Sequence, residues 1–156
     1  MTENTNYMEI VRSLSDEKFG EIFSASSRQA RETYFHRHGI KAPKKSGRML
    51  RAGEKNALRI KALYKTLMDK EDREMVEEIL RTWLLAKRSL LAAALDHLGI
   101  EHNEGLTDSD DIERFENLSV KEVQEMVGAL SDVADRDEIS IYLRYMGVKN
   151  LDQAMG

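Results

Sequence analysis

A stripe of apolar residues near the middle of the chain limits what it can become. Val76, Ile79, Trp83, Ala86 and Leu90 recur at alternating spacings of three and four. That repeat puts a continuous apolar face on one side of an α-helix and suits packing between near-antiparallel helices. It predicts one long helix over about 70–98, opened by Asp69 with Asp72 three residues on and closed by Gly99. From Leu90 to Leu98 (LLAAALDHL) the sequence is apolar on most sides, which places this end at the centre of a core.

The flanking sequence follows the same period. Ser15 offers a cap before DEKFGEIF, and Phe19, Ile22, Phe23, Ala30 and Tyr34 share one face, which predicts a helix over about 16–38 ending at Gly39. The segment 39–48, GIKAPKKSGR, is a loop, and a second helix follows over about 49–68 with Ile60, Tyr64 and Leu67 inward. After a polar stretch, a short helix is expected at about 109–117. Ser119 with Glu122 opens another through Leu130, and Asp135 with Glu138 opens a last one carrying Ile139, Tyr142, Leu143 and Met146. The run ISIYLRY also permits a strand. One Pro and nine Gly in 156 residues are too few breakers for an all-β chain. The expected fold is all-α: a single-domain helical bundle of about five to six helices over 15–156 with a long central helix, preceded by a frayed polar lead-in over 1–14.

Several chemistries have no residues to support them. The chain has no Cys, so disulfides, thiolate metal sites and cysteine nucleophiles are excluded. The start, MTENTNYMEIVRSLSDEKF, lacks a basic segment leading into an apolar one, and the longest strongly apolar run is Leu90–Leu95. The expectation is a cytoplasmic protein with no membrane contact. The His residues are His36, His38, His97 and His102, without H-E-x-x-H or E-x-x-H. The acidic stretch TDSDDIERFE fails the EF-hand pattern, since the sixth residue from Asp108 is Glu113 and the twelfth is Ser119. Neither phosphate-binding glycine loop is present, nor is G-x-S-x-G. No catalytic residue, metal ligand or cofactor is therefore expected.

The formal net charge of −4 conceals a separation. Residues 28–65 carry twelve Lys/Arg against two Asp/Glu, a formal +10. Residues 96–156 carry five against fifteen, a formal −10. Such asymmetry points to an anionic partner, although two such regions can also neutralise each other within one molecule. Lys44 and Lys45 lead into the helical stripe Arg48, Arg51, Lys55 and Arg59, with Arg28 and Arg31 on the preceding helix. Phe35 falls on the face carrying Arg28, Arg31 and His38, away from Phe19 and Phe23. An aromatic among arginines serves either to stack on bases or to anchor a protein interface. The leading expectation is a small non-enzymatic interaction module whose partner-binding residues are Lys44, Lys45, Arg48, Arg51, Lys55, Arg59, Arg28, Arg31 and Phe35. Its partner would be an acidic protein surface or another copy of the chain. The alternative is nucleic-acid binding without sequence preference. A metal-dependent enzyme using Glu32, His36, His97 and His102 ranks third.

Overall fold

The computed structural model describes residues 7–41, 52–106 and 112–155. The described residues are all-α: ten helices, and no strand beyond an isolated bridge between Asn103 and Leu106. They fall into two compact units, one over Tyr7–Trp83 and one from Leu84 onwards.

The N-terminal unit comprises α1 (Tyr7–Arg12), α2 (Asp16–Phe23), α3 (Arg28–Arg37), α4 (Ala52–Lys70) and most of α5 (Arg73–Leu85). Residues 7–12, expected to fray, instead form a helix that buries Tyr7, Met8, Ile10 and Val11. Their spacing makes a short apolar face inside an otherwise polar segment. The Tyr64 hydroxyl holds this helix to α4. It lies 2.8 Å from the Val11 carbonyl and 2.9 Å from the Leu14 carbonyl, so its one hydrogen is shared at the helix end.

The helix expected over 16–38 is two helices. The sequence between them, Ser-Ala-Ser-Ser, offers the backbone alternatives to the helical ladder. Ser24 donates back to the Gly20 carbonyl, and Ser27, in extended conformation, accepts from the Ala30 amide at 3.1 Å to start α3. Gly39 takes the left-handed conformation, φ +66°, just past the end of α3.

The expected long central helix is also divided. α5 ends at Leu85, and α6 (Arg88–Leu98) starts after Lys87. A continuous helix would carry Lys87 onto the stripe of Val76, Leu80 and Trp83, each 4% exposed or less. The break turns Lys87 outward, where its ammonium reaches Glu138 at 2.7 Å. Burying that charge inside an apolar stripe is costly enough to favour the break. These interruptions, with α1 and the short C-terminal helix Leu151–Met155, are why ten helices stand where five to six were expected. Asp72, not Asp69, caps α5, accepting from the Met75 amide at 3.3 Å.

The second unit comprises α6, α7 (Ile112–Glu116), α8 (Val120–Leu130), α9 (Arg136–Tyr145) and α10 (Leu151–Met155). Both expected capping boxes form: Ser119 with Glu122 opens α8, and Asp135 with Glu138 opens α9. The segment ISIYLRY is helical and buries Ile139, Ile141, Tyr142 and Leu143. Phe115 meets Tyr142 edge-on, with ring centroids 6.0 Å apart. Gly105, at φ +90°, lies against α6 so closely that an added Cβ would stand 2.6 Å from Leu91 Cβ. No helix among the described residues is long and apolar enough to cross a membrane.

Candidate functional site

The first contributions come from α3. Arg28, Arg31, Glu32 and Phe35 follow i, i+3, i+4 and i+7 and so lie along one side of that helix. The opposing set comes from the first turns of α4, where Lys55, Asn56 and Arg59 follow i, i+1 and i+4. These seven residues line a pocket of about 350 Å³ within the N-terminal unit. All five described members of the expected partner-binding set (Arg28, Arg31, Phe35, Lys55 and Arg59) are therefore in one place. Lys44, Lys45, Arg48 and Arg51 lie outside the described residues.

Phe35 occupies a different position from the one expected. It is 1% exposed and packs on Phe23 with centroids 5.3 Å apart. The face assigned to it assumed a helix running from Asp16, and the interruption at 24–27 resets that phase. Its remaining face is covered by the Arg59 guanidinium, whose carbon lies 4.1 Å from the ring centroid. Phe35 thus forms the base of the pocket and holds Arg59 by cation–π attraction. It is not available to stack on bases or to insert into a partner.

Arg59 is held from a second side. Its two terminal nitrogens meet the two Glu32 oxygens at 3.1 and 3.2 Å, the parallel fork that suits guanidinium to carboxylate. The second of these nitrogens also reaches the Ile40 carbonyl at 3.4 Å. Glu32 was weighed above as a metal ligand; in the structure it orients Arg59. Among the described residues, Arg28, Arg31 and Lys55 have no carboxylate partner. The pocket thus gathers four cations around one anion. The Nε–H groups of Arg31 and Arg59 are buried and find no acceptor among the described residues. Leaving such a donor unsatisfied costs about 1–3 kcal/mol per group.

The histidines serve other contacts. His38 Nε2 lies 2.7 Å from Asp72 Oδ2, so the carboxylate that caps α5 also ties α5 to the end of α3. His102 Nε2 meets Asp96 at 2.7 Å, and its Nδ1 accepts from the Gly105 amide at 3.0 Å. Among the described residues no three His, Asp or Glu side chains are grouped to hold a metal ion. Burial drives the Tyr142 hydroxyl well above its ordinary value. Burial, with Glu78 nearby, raises Tyr34 to about 12. Both are packing effects away from the pocket.

Sequence reasoning missed Glu32 and Asn56 as members of the site. The i,i+4 relation of Arg28 to Glu32 was readable, but the pairing of Glu32 with Arg59 spans 27 positions and exists only once α3 and α4 are packed. No protein-family model, curated protein or solved structure matches this chain.

Proposed function

We propose that this chain is a small, non-catalytic helical interaction module that engages an acidic protein partner through the basic surface of residues 28–65. A cytoplasmic setting belongs to the same proposal. One observation carries it: Arg28, Arg31, Lys55 and Arg59 converge on a single pocket in which, among the described residues, Glu32 is the one carboxylate. Cations merely decorating a solvated helix face would have no reason to converge from two helices. Lys44, Lys45, Arg48 and Arg51 lie in the chain joining α3 to α4 and add four charges of the same sign. The acidic region of a second copy, at a formal −10 over 96–156, is one surface of the required kind. With Phe35 enclosed, the basic surface lacks the aromatic platform on which a nucleic-acid reading leaned.

Arg28→Glu combined with Lys55→Glu tests the proposal, since Arg28 is exposed and Lys55 only partly covered. The pair should abolish association with the partner or with other copies while leaving the melting temperature unchanged. Wild-type association should weaken with added salt, because exposed charges are screened over about 8–10 Å near physiological ionic strength. Association that is indifferent to both changes would end the proposal.

A further inference from the structure

The pocket between α3 and α4 is more selective than its charge alone requires. Glu32 already fills the two terminal nitrogens of Arg59. A single carboxylate is thus supplied from within the fold, and one guanidinium suffices to hold it. What remains is Arg28, Arg31 and Lys55, arriving from two helices. After Glu32 is counted, the four cations leave a formal +3.

A phosphoryl group matches this remainder better than a second carboxylate does. It carries about −1.5 to −2 charge and three strong acceptor oxygens, so it can meet convergent cations simultaneously. Arg28 is also the first residue of α3, a helix of 10 residues, so the positive end of that helix adds to the field on the same side. At about 350 Å³ the pocket exceeds the needs of a bare ion and admits a phosphorylated side chain. A nucleic-acid backbone calls for a track of cations, whereas Arg28, Arg31, Lys55 and Arg59 surround one concavity.

We propose that this pocket receives a phosphoryl group carried on a side chain of the partner protein, with Arg28, Arg31 and Lys55 as its cationic donors and Glu32 as an internal carboxylate limiting affinity. This rests on the reading of the basic surface as a protein contact.

The test is a chemical-shift titration of the full chain with four probes. They are a short Gly/Ser peptide bearing one phosphoserine, the same peptide with Glu in its place, inorganic phosphate, and a single-stranded oligonucleotide. The phosphoserine peptide should perturb α3 and the start of α4 and bind about tenfold tighter than the Glu peptide. Lys55→Gln and Arg31→Gln should each weaken it by about tenfold; Lys55→Gln keeps the test valid should Arg31→Gln unfold the chain. Glu32→Gln should tighten it, because it removes the competing charge. Equal affinity for the two peptides, or no response to Lys55→Gln and Glu32→Gln, would overturn the proposal. So would inorganic phosphate binding as tightly as the peptide, which would make the site one for free phosphate. Tighter binding of the oligonucleotide would reassign the surface to nucleic acid. Loss of protein capture in the Arg28→Glu/Lys55→Glu protein, alongside indifference to phosphoserine, would sink this inference and keep the partner proposal.

Discussion

The acidic and basic regions of this chain differ in how their charge is used. Within 96–156, Glu122 and Glu138 complete capping boxes at the starts of α8 and α9. Glu138 also meets Lys87, Asp152 meets Arg144 at 3.0 Å, and Asp96 meets His102. The hydrogen bonds from the Ser119 amide and hydroxyl hold the Glu122 carboxyl below its usual range. Part of that negative charge therefore holds helix ends and turns. Within 28–65, Arg59 is the one Lys or Arg in an ion pair among the described residues, and His38 meets Asp72. Arg28, Arg31 and Lys55 have no carboxylate partner among the described residues. Equal and opposite formal charges are thus unequally paired among the described residues: several acids of 96–156 are engaged by caps and ion pairs, whereas Arg28, Arg31 and Lys55 are not.

Substitutions in the two regions should break or sharpen that contrast. The largest effect is expected at Phe35. If it is core and the base of the pocket, Phe35→Ala lowers unfolding free energy by about 3–5 kcal/mol, read by urea denaturation. A surface anchor would leave stability unchanged. In the second unit, Gly105→Ala meets both a left-handed backbone and the Leu91 side chain. A loss of about 1–3 kcal/mol is expected there, and near-neutrality would show that this turn is not held against α6.

Tyr142 gives the pH dependence. Burial raises its hydroxyl above the ordinary 10.0, so the fold favours the neutral form. The associated stability is present in full below about pH 10 and is lost as pH rises from the unfolded value through the folded one. Thermal melts from about pH 8 to about pH 11 should show wild type losing stability faster than Tyr142→Phe above about pH 10. Parallel curves would contradict this. At the start of α3, Ser27→Ala removes the acceptor for the Ala30 amide and should cost about 1 kcal/mol. The smallest effect falls on the pocket rim, where Lys55→Glu should change stability by no more than about 0.5 kcal/mol. A larger loss would show that the basic residues are structural after all.

The parts of this fold that were legible in the sequence are those written in adjacent residues. Ser119 with Glu122, Asp135 with Glu138, and the left-handed Gly39 and Gly99 are local devices, and each marks the boundary expected of it. The interruptions were harder to read. A serine cluster at 24–27 and a lysine at 87 leave the apolar repeat almost intact while ending a helix. Each break discards the phase on which facing was reckoned, at about 100° per residue. That is why Phe35 was placed on the surface. Arg28, Arg31, Lys55 and Arg59 were found because composition alone marks them. Their convergence, and the Glu32 fork, depend on packing between helices that no local pattern records.

The claim at the centre of this account is that the basic surface exists for an external acidic partner. The most direct measurement compares capture from nuclease-treated native lysate by the wild-type chain and by the Arg28→Glu/Lys55→Glu variant, with both confirmed to melt at the same temperature. The wild-type chain should capture protein partners that survive nuclease, are released by salt, and are absent from the variant. Capture that is the same for both proteins, or that disappears with nuclease in the wild type, would contradict that claim.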